Sequence, residues 1–455
     1  MTAQPNILFF FPDQHRGDWT GYRGAPGVRT PFLDALASAG AVYTRALTPS
    51  PLCLPARACL ASGKRYDDQP VQTNQDDFDL GAFNIYRAMR EAGYHVMGCG
   101  KFDLLKDSMD WGRNGQHGEG EASRLFALGF SDGVDSAGKH DCITAFKRQR
   151  GDEPYRAFLM ARGLWETHVE DFEGRSYPSE CYTNTSPTPL PDDAYCDNWI
   201  AARGRSLIES APAGKPWFLQ VNFNGPHEPL DVTAGMQARW RDVELPTATA
   251  NNQYSVDEHQ DMRRNYAAMI ENIDAKVGEF LALLDRLDQR ERTLIVYSSD
   301  HGDNLGDHNK WHKTTPHQAS VSVPLVLAGK GIAPQHSAVP VDLVDVAATF
   351  LAASGASGST DGASLAGGPP DRQALTSGFG EWRLIQDRQY KYIHGYDPSL
   401  GTAARFGRPF SPLADAPRQL YDLEADPMET ENLAARDPGR CEAMRAALVA
   451  LTGHR

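Results

Sequence analysis

Residues 50–65, Ser-Pro-Leu-Cys-Leu-Pro-Ala-Arg-Ala-Cys-Leu-Ala-Ser-Gly-Lys-Arg, place Cys53 ahead of Arg57 and Cys59 ahead of Arg65. A thiol near a guanidinium can act as a nucleophile on an oxyanion, so the spacing asks which cysteine does chemistry. Four further groups stand out: Asp13-Gln14, Lys101, Gly225-Pro226-His227 and Asp300-His301. Asp13, Gln14, Asp300 and His301 together offer two carboxylates, an amide oxygen and an imidazole, a plausible cage for a divalent metal. Oxygen-rich ligation suits calcium or magnesium, and the imidazole admits manganese or zinc. The run Gly302-Asp303-Asn304-Leu305-Gly306-Asp307-His308 is too short and wrongly spaced for an EF-hand loop. Asp303, Asp307 and His308 therefore read as loop or supporting groups.

Each of these residues alone reads as a helix cap or a solvated loop residue. Their positions change that. Asn6–Phe11 is a continuous apolar run, as in a strand buried on both faces, and it leads into Asp13-Gln14. Tyr94–Cys99 leads to Lys101, Trp217–Phe223 to His227, and Thr293–Ser299 to Asp300-His301. In open α/β sheets the site lies beyond the carboxyl ends of the strands, so four such ends delivering polar groups imply one site.

Helical patterns alternate with these strands: Thr30–Gly40, Leu80–Ala92 stopped by Gly93, Asp193–Ser210, and a long segment from about Val256 to Asp288. That segment puts Tyr266, Met269, Ile270, Ile273, Val277, Phe280, Leu281 and Leu284 on one stripe. Val323–Ala328 is a further strand and Asp342–Ala353 a further helix. The expected fold is α/β, a large, mostly parallel sheet flanked by helices. Ser354–Asp371 reads as a Gly/Ser/Ala/Pro loop or linker. Arg383–His394 and Gln419–Leu423 read as antiparallel strands before a closing helix near Pro438–Leu451. The expected division is a catalytic domain over 1–370 and a smaller C-terminal α+β subdomain with an antiparallel sheet over 371–455.

The 455 residues are 41% hydrophobic and 23% charged, the composition of a globular protein. A net charge of −14 disfavours nucleic acid and anionic membranes as partners, leaving an anionic small substrate only where local cations override the field. MTAQPNILFFF has no basic segment and too short an apolar run for a signal peptide or a membrane span. Seven cysteines without a spacing pattern disfavour a disulfide framework. A cytoplasmic location is the simplest expectation, and the oligomeric state is left open.

Cys59-x5-Arg65 fits the phosphate loop of cysteine phosphatases poorly: no histidine precedes it, no hydroxyl residue follows, and no strand points into it. Cys59 reads better as a small buried residue on a helix. Cys53-Leu-Pro-Ala-Arg57, with its helical run and Ser-Gly-Lys-Arg, resembles the signature of the type I sulfatases. "PNILFFFPDQ", "TPFLDALASAGAVYTRA", "SSDHGDNLGDHNKWHK" and "QLYDLEADPMETENLA" resemble the same family and its alkaline-phosphatase-like superfamily, in order and over nearly the whole chain. Residues from about Lys106 to Pro191 match nothing, and specificity is expected there.

The resemblance implies that a formylglycine-generating enzyme converts Cys53 to an aldehyde whose hydrate is the nucleophile. It implies that Arg57 steadies residue 53. Asp13, Gln14, Asp300 and His301, with residue 53, would hold one divalent ion, calcium first and manganese as alternative. Lys101, His227 and Lys313 would be the remaining catalytic and substrate-binding groups, with Asp103 beside the substrate. Lys310 and His312 flank Lys313, and family spacing picks Lys313 among them.

Two residues depart from the common pattern. Gln14 stands where an aspartate is commoner, as in phosphonate monoester hydrolases and choline sulfatases. Asp103 stands where a histidine is frequent, an odd neighbour for an anion unless it pairs with Lys101. Sulfate monoester hydrolysis ranks first, phosphonate monoester or phosphodiester hydrolysis second, and a non-catalytic binding protein third. Trp111, Trp165 and Tyr182 make a carbohydrate a fair expectation for the sulfated alcohol.

Overall fold

A computed structural model describes residues 4–108, 124–149, 153–175, 181–250, 252–400 and 417–453. Its main sheet has eight strands: β1 (Asn6–Phe10), β2 (Ala41–Tyr43), β4 (His95–Gly100), β5 (Asp132–Asp135), β6 (Trp217–Asn222), β7 (Thr293–Tyr297), β8 (Val326–Gly329) and β9 (Gln335–Ser337). Their spatial order is β5-β4-β6-β1-β7-β8-β2-β9. All neighbours are parallel except β8, which runs antiparallel to both β7 and β2. A short parallel pair, β3 (Ala46–Leu47) with β10 (Val341–Asp342), lies beside the sheet.

The apolar run at the start of the chain forms the centre because both its faces are covered. Leu8 and Phe10 pack with residues of the Pro31–Ala39, Cys196–Ser210 and Val256–Arg286 helices. Ile7 and Phe9, on the opposite pleat, pack with the Cys53–Ser62, Ile85–Glu91 and Leu343–Ser354 helices. The long helix starts at a capping box, with Ser255 and Glu258 bonding each other's backbone, and its predicted stripe is buried throughout. The helix expected from Leu80 begins only at Ile85, because the Asn84 side chain caps Arg87 N there.

The strands expected to carry the site, β4, β6, β1 and β7, are consecutive in the sheet, so their carboxyl ends form one edge. Gly100 closes β4 at φ +91°, a left-handed conformation, and a Cβ there would collide with the Asn222 carbonyl. Only glycine lets the chain pass this point and deliver Lys101.

The stretch Arg383–His394, read as antiparallel strand, is a hairpin of β12 (Trp382–Gln386) and β13 (Tyr390–His394). With β11 (Leu375–Phe379) and β14 (Gln419–Asp422) they form a separate four-stranded antiparallel sheet, ordered β11-β12-β13-β14. The Pro438–Thr452 helix covers one face through Cys441, Met444 and Leu448. The other face packs Trp382, Leu384 and Ile393 against Leu47, Leu52, Cys59 and Val344. The Ser354–Asp371 stretch is irregular yet anchored: Leu365 is fully buried, and Asp361 pairs with Lys64 at 2.7 Å. No helix of the described residues is long and apolar enough to cross a membrane. Trp111 lies outside the described residues.

Gly100→Ala is expected to destabilise the fold by roughly 2–4 kcal/mol in urea unfolding, through backbone strain at a buried strand end. Wild-type stability in that variant would remove the steric argument for this glycine.

Candidate active site

Cys53 opens a ten-residue helix in which every residue is buried, so its thiol sits at the positive end of the helix. Asp13 follows β1 and Asp300-His301 follows β7, all with no exposed surface. Ligand atoms of Asp13, Cys53, Asp300 and His301 lie within 4.8 Å of one another. The His301 ring directs Nδ1 at the Gly302 carbonyl at 3.0 Å, so Nδ1 carries the proton and Nε2 faces the cage, 3.3 Å from Cys53 Sγ. Two carboxylates and an imidazole converging in a buried pocket fit a divalent cation.

Cations surround this acidic centre. The Arg57 guanidinium bonds Asp300 Oδ2 at 3.0 Å, reaches Asp13 at 3.4 Å and also donates to the Lys101 carbonyl and Asn222 Oδ1. Its bonds go to the carboxylates of the cage, so it holds the cage in shape. Lys101 Nζ lies 2.6 Å from Asp13 Oδ2. Lys313 Nζ lies 2.6 Å from Gln14 Oε1, 3.2 Å from Cys53 Sγ and 2.8 Å from His227 Nε2. Lys310 instead reaches the Pro398 carbonyl and His312 turns to Glu228, which sets Lys313 apart from its neighbours.

These charges act on one another strongly. Burial disfavours the Asp13 anion, but Lys101, His227, Lys313 and Arg57 outweigh it and hold the carboxyl well below its ordinary value. Burial and Asp13 push the Cys53 thiol up, yet Lys313, Lys101 and His301 pull it well below an ordinary thiol. At Cys59, burial together with Asp342, Asp67 and Asp361 raises the thiol well above its usual range. Cys59 thus sits in the core among carboxylates, whereas Cys53 faces cations.

Asp103 is half-buried at φ +55°, with Lys101 at 3.4 Å and Lys106 at 2.8 Å. Lys106 also reaches Asp141 at 3.1 Å, so Asp103 sits in a neutralised cluster. Lys106 and Asp141 escaped the sequence reading because neither belongs to a motif.

Gln14 is held from behind. Its Nε2 donates to Glu228 Oε2 and Asp303 Oδ2, each at 2.6 Å, and Tyr182 Oη lies 2.5 Å from the same Asp303 oxygen. Two carboxylates can only accept when ionised, so they fix the amide with its oxygen toward Lys313 and the cage. Glu228 also takes His312 Nδ1 at 3.0 Å, and His227 Nδ1 meets the Glu228 carbonyl at 2.7 Å. Only adjacency to His227 in Pro-His-Glu-Pro hinted at Glu228.

Gln14→Glu adds a carboxylate against two others and removes their shared donor. A loss of roughly 2–4 kcal/mol in urea unfolding is expected. Unchanged or greater stability would mean that the amide contacts do not matter.

Residues 5–356 match the family model described as Sulfatase. A choline-sulfatase from Rhizobium meliloti is 26% identical, over 96% of this chain and 84% of that protein. An arylsulfatase from Clostridium perfringens is 24% identical, over 94% of this chain and 90% of that protein. The crystal structure of a phosphonate monoester hydrolase from Agrobacterium radiobacter covers 99% of this chain and 95% of its own, with a TM-score of 0.75 and 22% identity. That likeness speaks to the fold, which is alkaline-phosphatase-like. With a family match spanning more than three quarters of its length, the chain belongs to the Sulfatase family and is a sulfuric ester hydrolase.

Proposed function

We propose that Cys53, converted to formylglycine, is the nucleophile of sulfate monoester hydrolysis, assisted by one divalent cation, calcium first, held by Asp13, Gln14, Asp300, His301 and residue 53. The observation that carries this reading is the Cys53 side chain lying among Asp13, Asp300 and His301 with Lys313 Nζ 3.2 Å away. When bound, the cation and the hydrated aldehyde would supply an oxygen nucleophile at neutral pH.

The remaining roles belong to side chains described above. Lys101 and Lys313 approach the centre from β4 and from the loop after β7, and each would take a sulfate oxygen as charge develops on the leaving oxygen. Arg57 keeps Asp13 and Asp300 converged, replacing water as their partner in a buried site. His227 is half-buried, with Nδ1 committed to the Glu228 carbonyl and Nε2 2.8 Å from Lys313 Nζ, so this histidine–lysine pair is what would pass a proton to the leaving alcohol. Asp103 lies beside the substrate lysine Lys101 and tempers its charge. Residues 1–370 form the catalytic unit in this reading, with 371–455 as a smaller subdomain bracing it. Seven unpaired cysteines support a reducing, cytoplasmic setting.

A small alkyl or aryl sulfate and a sulfated carbohydrate both suit such a centre; the relatives include a choline-sulfatase. Gln14 and the likeness to a phosphonate monoester hydrolase favour phosphonate monoester or phosphodiester hydrolysis as the second reading. The two lysines oppose it: with a metal they can meet three non-bridging oxygens, whereas a diester presents only two.

The deciding experiment co-expresses the chain with a formylglycine-generating enzyme and measures the Cys53 peptide by mass spectrometry, expecting aldehyde in place of thiol. Cys53→Ala should abolish turnover with folding intact, and Cys59→Ala should keep most activity. Activity that survives the first and dies in the second would overturn the assignment.

Asp13→Ala or Asp300→Ala should lose both bound metal, by elemental analysis, and activity. Full metal occupancy in either variant would contradict the cage.

Aryl sulfate should be hydrolysed with much higher kcat/KM than aryl phosphonate. Lys101→Ala should cost the sulfate reaction roughly ten- to a hundredfold, narrowing that preference. A native preference for the phosphonate would put the second reading first.

A further inference from the structure

We infer that the chain carries a second binding site, for an organic carboxylate with an apolar body, in a cavity of about 390 Å³ outside the catalytic centre. Four arginines line it: Arg16, Arg23, Arg45 and Arg263. None of the groups assigned to hydrolysis does. The cavity backs the loop that carries Lys313, since Arg16 Nη1 donates to the Asn304 carbonyl at 3.3 Å and Arg263 Nη2 to the Leu305 carbonyl at 2.7 Å.

The four arginines divide into two pairs. Arg16 and Arg263 are buried and neutralised: Arg16 chelates Asp18 and pairs with Asp307, which Arg263 also reaches at 3.4 Å. Arg23 and Arg45 are half-buried and differ in their partners. Arg23 donates to the Thr44 carbonyl at 3.1 Å, and Arg45 to the Arg388 and Leu423 carbonyls at 2.9 and 3.2 Å. Among the described residues neither has a carboxylate within 4 Å. Burial and the neighbouring Arg23 disfavour the charge on Arg45, and the more distant Glu424, Asp422 and Asp387 only partly offset this.

Two half-buried guanidinium groups that repel each other, in a chain of net charge −14, are unusual unless an anion joins them. A carboxylate matches guanidinium geometry and can bridge two such groups. Trp19, Val28, Pro427 and Met428 give the cavity an apolar side, while the Asp18 and Asp307 carboxylates on its wall are already engaged by Arg16 and Arg263. A flat hydrocarbon body could lie against Trp19 with its carboxylate toward Arg23 and Arg45.

The test uses naphthalene-2-carboxylate, titrated calorimetrically into the full-length protein with saturating inorganic sulfate to fill the catalytic centre. One molecule per chain should bind, and the neutral analogue naphthalene-2-methanol should not. The double variant Arg23→Glu/Arg45→Glu should bind at least about tenfold more weakly while its aryl sulfate turnover stays at the wild-type level. Arg23→Gln/Arg45→Gln, which keeps donors for the carbonyl contacts, is the second variant should the first fail to fold. No binding to the wild type, equal binding of the neutral analogue, or affinity unchanged in the variant that folds would overturn the proposal.

Discussion

Two fully buried carboxylates, Asp13 and Asp300, stand at the ends of adjacent strands, and much of the fold serves to make that tolerable. Like charges about 4 Å apart repel by about 4 kcal/mol at an effective dielectric constant near 20, and each also loses hydration. Cations must therefore come from other parts of the chain. Arg57 arrives on the first turns of the Cys53–Ser62 helix, Lys101 from the end of β4, and Lys313 from the long loop after β7. Removing one of these leaves a buried charge uncompensated. The same attraction that draws the lysines inward places ammonium groups beside Cys53, so stabilising the acid pair and preparing an anion site are one arrangement.

Gln14 shows how the electrostatic balance is divided. An aspartate in its place would add a third carboxylate to the cage, directly against Glu228 and Asp303. The neutral amide instead separates two acidic layers: its oxygen faces Lys313, and its nitrogen satisfies the carboxylates behind. Burial together with Glu228 raises the Asp303 carboxyl, while His227, His312 and Lys313 overcome burial to depress that of Glu228. The amide at position 14 fits a site whose negative charge continues one residue further out.

Much of this was legible in the sequence because the relevant elements are long or strongly patterned. The continuous apolar run of β1 and the stripe of the Val256–Arg286 helix leave little choice of element, and each strand end announces its polar residue. The short strands Ala41–Tyr43 and Gln335–Ser337 were not readable, since three residues carry no period. Asn84 moved a helix start by supplying a cap inside an apolar stretch. The grouping of Gln14 with Tyr182, Glu228 and Asp303 spans nearly 300 positions and depends on how loops fold over the sheet edge, which no local pattern encodes.

The C-terminal sheet belongs to the same argument, because the Lys313 loop has little regular structure of its own. Trp382 Nε1 donates to the Thr314 carbonyl at 3.1 Å, and buried Lys391 donates to the Pro316 carbonyl at 2.7 Å. Lys391 is itself paired with buried Glu429, whose other oxygen accepts from Gln318 N at 2.6 Å. Three groups from the tail thus grip residues 314–318, immediately after the lysine nearest Cys53. A loop position held on both sides, by Gln14 and His227 within the site and by β12, β13 and Glu429 outside it, keeps Lys313 in place without a helix or strand beneath it. The C-terminal sheet thus braces the loop that carries Lys313.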